Sequence, residues 1–101
     1  MRARTQQAMV VGVLTLNIHL PYAHSLKDKR QVLRKLKERL RGRFNVAVAE
    51  LDHQESWQRA QVGVLSLSND RLHLTQLLEA AAAEAENILG GDLVGSQIEY
   101  L

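Results

Sequence analysis

The order in which strand-like and helical patterns follow one another is the feature that most constrains the fold of this chain. Four segments are rich in apolar and β-branched residues and have the length of strands, and two longer segments repeat apolar residues at helical spacing. The sequence predicts a strand over residues 10–20, a helix over 25–43, strands over 45–52 and 57–68, a second helix that residues 68–70 cap and Gly90 and Gly91 end, and a last strand over 93–101. This order is the split βαβ pattern, so we predict an α+β fold of the ferredoxin-like type. It is a βαββαβ two-layer sandwich with a four-stranded antiparallel sheet.

Local signals set the ends of these segments. Pro21 has no backbone donor and ends the first strand, while Ser25 followed by Asp28 is a capping box that begins the first helix. The polar residues 53–56 are short enough for a hairpin loop, which makes the second and third strands antiparallel neighbours. Gly12 interrupts the first strand, where a glycine suggests a bulge.

Length and composition narrow the class of protein. A chain of 101 residues with 46% hydrophobic and 24% charged residues is typical of one globular core. We expect residues 9–101 to form a single ferredoxin-like domain after a flexible tail of residues 1–8.

Cysteine is absent, which excludes disulfides, thiolate nucleophiles and cysteine-based zinc sites and fits a reducing compartment. No apolar run approaches the roughly 18–20 residues of a membrane span, so we expect a cytoplasmic protein without membrane contact.

Both faces of the predicted sheet are apolar. If the helices cover one face and water meets the other, the strands of an antiparallel sheet should alternate apolar and polar residues. Instead, Val11 and Val13, which would face away from the helices, are apolar. In the second and third strands, apolar residues occupy both the even-numbered and the odd-numbered positions, which face opposite sides of the sheet. These residues are Val46, Ala47, Val48, Ala49 and Leu51 in the second strand and Val62, Val64, Leu65 and Leu67 in the third. Large bare apolar patches are uncommon on monomers, so we expect a homodimer in which a second copy covers the open sheet face.

The first predicted helix carries most of the positive charge. Residues 25–43 hold nine of the thirteen Lys and Arg residues and two acids, a net charge of +7, whereas the rest of the chain has a net charge of −5. Five cations recur at intervals of three and four residues beside the apolar stripe, so they share an arc of about 80° on the helix. We call these five residues the basic ridge: Lys27, Arg30, Arg34, Lys37 and Arg41.

The basic ridge is the strongest functional signal in the sequence. Spaced cations on a rigid helix can contact a phosphate backbone, which predicts RNA binding at these five residues. The same pattern also fits a solvated helix face or a docking surface for an acidic protein. The two central strands contain no aromatic residue, unlike those of RNA-recognition motifs, so any RNA binding is expected to use charge and shape.

The loops around the second and third strands hold a second candidate site. The residues that could contact a ligand or partner there are His24, His53, Gln54, Trp57 and Arg59. Trp57, the only tryptophan, could stack on a base or a partner, or it could cover the hairpin and pack on the sheet edge. The four histidines show no ligand spacing such as HExxH, so we expect neither a metal site nor a cofactor.

Patterns typical of enzymes are weak. Gly90 and Gly91 close a helix rather than open one, so they form no phosphate-binding loop. Ser25 is explained as a helix cap rather than as a nucleophile. Paired carboxylates and a Ser/His/Asp set are not recognisable either, and we expect a non-catalytic protein.

Several separated strings resemble one known family. They are HSLKDKRQVLRKLKERLRGRFNVAVAE at 24–50, HQESWQRA at 53–60 and SND at 68–70. In this order they resemble the YlxP-like proteins, small bacterial proteins of unknown function, from about Met9 to the end of the chain. The resemblance implies a ferredoxin-like fold but no activity, substrate or catalytic residues. Genes of that family tend to lie beside genes for translation initiation and ribosome maturation. The association favours an RNA- or ribosome-bound module, with a dimeric protein–protein interaction module as the alternative.

Overall fold

The computed structural model describes residues 9–101 and confirms the predicted α+β ferredoxin-like sandwich. The elements are β1 (Val10–His19), α1 (Leu26–Arg43), β2 (Ala47–Asp52), β3 (Arg59–Ser68), α2 (Arg71–Leu89), a 3-10 turn (Gly90–Asp92) and β4 (Leu93–Tyr100). The sheet order is β2-β3-β1-β4, and all neighbouring strands are antiparallel. The tail predicted for residues 1–8 lies outside the described residues.

The core lies between the two helices and one face of the sheet. Alternate residues of β1, namely Leu14, Leu16 and Ile18, are buried in one apolar cluster with residues of both helices, as period-2 alternation predicts. The buried stripe of α1 includes Leu36 and Leu40, which are fully buried. Each such side chain contributes about 1.5–3 kcal/mol by leaving water. This packing fixes the rotation of α1 and therefore determines which of its side chains face solvent.

The first turn of α1 is capped as the sequence predicts, with one difference. Ser25 Oγ accepts a hydrogen bond from the amide of Asp28 at 3.0 Å. The carboxylate of Asp28 accepts from the amide of His24 at 3.0 Å, and not from that of Ser25. The bond therefore orders the residue before the cap as well as the cap itself, and it fixes the loop that leads into the helix.

The prediction of a bulge at Gly12 is wrong. The register between β1 and β3 runs through the Gly12–Ser66 pair without a shift. A Cβ atom at Gly12 would lie 2.8 Å from Leu78 Cδ1 of α2, so the glycine lets the helix side chains pack directly on the strand, and a larger residue would displace the leucine methyl group. The irregularity in the pairing of β1 lies between Asn17 and Ile18, opposite β4.

The sheet face that points away from the helices, here called the open face, has an apolar end and a polar end. At the apolar end, Leu65 and Leu67 are 38% and 59% exposed and pair with Val13 and Val11 of β1. Leu51, which covers Gly63, is 53% exposed. The polar end lies further along the same strands: Gln61 Nε2 donates to Asn17 Oδ1 at 3.1 Å. Large apolar side chains therefore remain in contact with water on this face of the monomer.

Candidate nucleic-acid interface

Lys29 lies on α1, yet its side chain is buried. It is 1% exposed, and its ammonium donates to the carbonyl oxygens of His53 at 2.8 Å and Arg59 at 3.2 Å. Its Nζ is also 3.1 Å from Glu50 Oε2 on β2. That oxygen accepts no hydrogen bond of acceptable geometry within residues 9–101, so this contact is an ion pair by distance alone. A buried charge is tolerated only when such partners replace water, so Lys29 is a structural residue that ties α1 to the β2–β3 hairpin.

Two further cations of α1 are paired with the other helix. Arg39 Nη1 lies 2.9 Å from one carboxylate oxygen of Glu84, and Arg43 Nη1 lies 2.8 Å from the other. The Glu84 side chain is 7% exposed, whereas those of the two arginines are 52% and 62% exposed. One carboxylate on α2 therefore receives two charge-assisted hydrogen bonds across the helix pair. We call Lys29, Arg39 and Arg43 the paired cations.

The basic ridge behaves differently. Four of its members are exposed, and Lys37 is half-buried. Within residues 9–101, no carboxylate oxygen lies within 4.0 Å of any of the five cationic groups. At 1.5 Å of rise per residue, the ridge extends about 21 Å from Lys27 to Arg41. The part of the chain that the structure describes therefore leaves a row of five cations without an ion-pair partner.

A shallow groove of about 440 Å³ runs between the ridge and β2. Its lining residues are Arg30, Leu33, Arg34, Lys37, Glu38, Arg41 and Glu50. Four ridge cations thus face one depression, and two carboxylates share it. Sequence spacing could not reveal Glu50 there, because it comes from a different element. A polyanion in this groove would lie on the side of α1 rather than over Glu50, since like charges repel.

The second candidate site is assembled from two loops that the structure brings together. Gln58 Nε2 donates to the carbonyl oxygens of Pro21 at 3.0 Å and Ala23 at 3.3 Å, so the loop before α1 lies beside the β2–β3 loop. All five residues predicted for this site are exposed: His24, His53, Gln54, Trp57 and Arg59. Within residues 9–101, no group of three or more His, Asp or Glu side chains could hold a metal ion.

Trp57 lies in the loop and not at the start of the third strand, which begins at Arg59. The predicted strand start is wrong because Ser56 Oγ accepts from the amides of Gln58 at 3.2 Å and Arg59 at 3.1 Å. These bonds hold the chain in a turn for two residues longer than the polar stretch suggests. Trp57 is 53% exposed and therefore has a large part of its surface available to a ligand.

Sequence reasoning missed Tyr22 as well as the paired cations. Tyr22 is 55% exposed, and its hydroxyl donates to Asp92 Oδ2 at 3.0 Å. Partial burial and this carboxylate raise the pKa of Tyr22 above its ordinary value. The sequence signal that could have identified Tyr22 was the position of an aromatic residue directly after Pro21, in a loop. For Lys29, the signal was its spacing of four residues before Leu33, which places it on the buried stripe.

Comparisons with known proteins give a family and a fold. A family model described as "Protein of unknown function (DUF503)" matches residues 11–98. The uncharacterized protein YlxP of Bacillus subtilis (strain 168) is 36% identical over 61 residues, which span 60% of this chain and 66% of that protein. The de novo designed protein Foldit4 has a TM-score of 0.53 at 16% identity, over 92% of this chain and 93% of that chain. The designed protein Ferredog-Diesel has a TM-score of 0.49 at 13% identity, over 88% and 83%. Neither helix in residues 9–101 is long and apolar enough to cross a membrane.

Proposed function

Because this chain belongs to the DUF503 family, whose function is unknown, we propose from its own surface that it is a non-catalytic RNA- or ribosome-associated module. Its basic ridge contacts the phosphates. The observation that carries the proposal is that none of the five ridge cations forms an ion pair within residues 9–101, although three other cations of the same helix do.

The dimensions of the ridge suit a nucleic-acid backbone. A length of about 21 Å corresponds to about six base steps, since a duplex strand advances about 3.4 Å per nucleotide. Four or five phosphate contacts give a slope of log K against log salt of about −3.6 to −4.5 on duplex DNA, and a shallower slope on single strands. The acidic remainder of the chain, with its net charge of −5, repels phosphates and orients the ridge toward them. A cytoplasmic location and the absence of cysteine fit such a partner.

The test reverses three ridge charges. The variant Arg30→Glu, Arg34→Glu, Lys37→Glu should keep its circular dichroism spectrum, because none of the three side chains is ion-paired within residues 9–101. It should lose salt-dependent RNA binding, measured by fluorescence anisotropy over a salt series. Unchanged affinity and an unchanged salt slope would refute the proposal.

Two adjacent residues offer a matched control. Arg34 and Lys35 are both exposed and unpaired among residues 9–101, but only Arg34 belongs to the ridge and lines its groove. Arg34→Glu and Lys35→Glu change the net charge equally. We expect the Arg34 substitution to weaken RNA binding much more than the Lys35 substitution. Equal losses would indicate an effect of overall charge rather than a ridge contact.

A second candidate function is a dimeric protein–protein interaction module. The exposed Leu51, Leu65 and Leu67 on the open face favour it, because a second copy would remove them from water. A dimer through this face would leave the basic ridge exposed, since both helices lie on the opposite side of the sheet. Sedimentation of the wild type and of Leu65→Lys/Leu67→Lys tests the dimer. Partners captured on the protein after nuclease treatment would favour a protein ligand for the ridge.

A further inference from the structure

Two exposed aromatic side chains lie at one end of the molecule. The chain has four aromatic residues, of which Phe44 and Tyr100 are half-buried. The other two, Tyr22 and Trp57, are 55% and 53% exposed. We call these two residues the aromatic pair. A half-exposed tryptophan on a surface loop offers a large apolar face to a ligand that can stack on it.

Hydrogen bonds fix the two loops that carry the aromatic pair. The amide of Leu20 donates to the carbonyl of Gln58 at 2.7 Å, and the side chain of Gln58 returns two bonds to the first loop. Ser56 bonds twice within its own loop, and the Tyr22 hydroxyl is held by Asp92. A ligand that stacks on a ring carried by such a loop loses little affinity to ordering the loop.

The hairpin loop that carries Trp57 contacts the first turn of α1, the helix end at which the basic ridge begins. Lys29 donates to the carbonyls of His53 and Arg59, on either side of Trp57, so the first turn of α1 touches this hairpin. Lys27 and Arg30, the first two ridge cations, flank Lys29 in sequence. Glu55 lies in the same loop as Trp57 and lines the same shallow depression, which disfavours a phosphate there. An uncharged aromatic ring is the group that fits this position.

We propose that the ligand of the basic ridge is single-stranded RNA, whose phosphates follow the ridge while an unpaired base at its end stacks on Trp57. This inference rests on the proposed RNA binding and adds the class of RNA. Bases inside a duplex already stack on each other and offer no free face, whereas single-stranded bases stack on protein aromatics beside a cationic groove. Aromatic residues are absent from β1 and β3, so this stacking surface is provided by loops and not by the sheet.

The only tryptophan makes the test direct. Three ligands are compared on the wild-type protein: a short single-stranded RNA, an abasic backbone of the same length, and the RNA in a duplex. Stacking should quench the emission of Trp57 with the base-bearing strand and not with the abasic strand. The base-bearing strand should also bind more tightly than the abasic strand or the duplex.

Variants separate stacking from phosphate contacts. Trp57→Leu should weaken binding of the base-bearing strand about tenfold or more. Binding of the abasic strand and the salt slope should not change, because the phosphate contacts remain. Trp57→Phe keeps a ring and should retain part of the affinity. Leu72→Ala is the control, since Leu72 is 66% exposed and lies on α2 at the opposite end of β3 from Trp57.

The outcomes distinguish this inference from the proposal on which it rests. Equal affinity for base-bearing and abasic strands, or tighter binding of the duplex, would overturn single-strand stacking. If the triple glutamate variant still lost binding in that case, the ridge proposal would stand. Failure of the wild type to bind any of the three ligands would overturn both. The comparison of base-bearing and abasic strands uses only the wild type, so a poorly folded Trp57→Leu protein would not obscure the result.

Discussion

The paired cations and the basic ridge belong to the same helix and consist of the same residue types, yet only the first set forms ion pairs within residues 9–101. Lys29, Arg39 and Arg43 meet carboxylates supplied by β2 and α2, whereas four ridge cations line a groove whose two carboxylates lie more than 4.0 Å from them. Including the carboxylates of Glu50 and Glu84 lowers the net charge of the 25–43 segment and its partners from +7 to +5. The comparison shows that the number of cations on a helix does not tell how many phosphates it can bind. That number depends on how many of the cations form no ion pair within the protein.

The largest effect expected from this comparison is on stability, at Lys29. Lys29→Ala should lower the free energy of unfolding by about 3–5 kcal/mol, because it leaves Glu50 and two carbonyls without their buried partner. Urea denaturation measures this loss. Lys35→Ala, an exposed and unpaired site within residues 9–101, should change it by no more than about 0.5 kcal/mol. If Lys29→Ala lowered the free energy of unfolding by less than about 1 kcal/mol, the paired cations would not differ from the unpaired ones in their contribution to stability.

A double substitution sharpens the same contrast. Lys29→Met fills a similar volume without charge, and Glu50→Gln removes the opposing charge. If the ion pair is energetically important, the double variant should be more stable than the sum of the single losses predicts, by about 0.5–3 kcal/mol. Additive losses would show that the two carbonyl contacts of Lys29, and not Glu50, account for its role.

A smaller effect is expected at Glu84. Glu84→Gln should cost about 1–2 kcal/mol, because two charge-assisted hydrogen bonds are weakened while the half-exposed Arg39 and Arg43 regain water. RNA affinity should not change, since these two arginines point toward α2. A marked rise in affinity would mean that the freed arginines join the phosphate-binding surface, and the division of cations into two sets would then be wrong.

The smallest effect is expected from a single ridge truncation. Arg41→Ala removes one phosphate contact and should reduce the slope of log K against log salt by about one. The free energy of unfolding should stay within about 0.5 kcal/mol of the wild type, because Arg41 is exposed and has no ion-pair partner in residues 9–101. Anisotropy over a salt series and urea denaturation measure the two quantities on one sample. A loss of stability without a change in slope would place Arg41 among the structural cations.

The sequence predicts the fold well because the strand and helix patterns are local. Period-2 alternation around Leu14 and Leu16 and the helical stripe through Leu36 reflect burial that the structure confirms. The error at Gly12 has a different origin, since the glycine accommodates the side chain of Leu78 of α2, which is distant in sequence. The error at Trp57 comes from one hydroxyl, Ser56 Oγ, that extends the turn.

The candidate site is predictable only in part for the same reason. Spacing along α1 identifies the side of the helix that carries the basic ridge, because helical periodicity is a property of one segment. The partners of Lys29 and Arg39 come from β2, the hairpin and α2, and no pattern within α1 reveals them. The meeting of the loops that carry Tyr22 and Trp57 likewise depends on tertiary hydrogen bonds of Gln58.

The buried ammonium of Lys29 has a consequence for how the chain folds. Its two carbonyl partners are 24 and 30 positions further along the sequence, so burial of this ammonium links the docking of α1 to the closure of the hairpin, and we expect the two to form together. A peptide that contains α1 alone would lack the two carbonyl acceptors and the carboxylate of Glu50 that surround this ammonium in the folded chain. Amide hydrogen exchange in the first turn of α1 and in the 53–59 segment should therefore slow together and be lost together, as a single unit of unfolding.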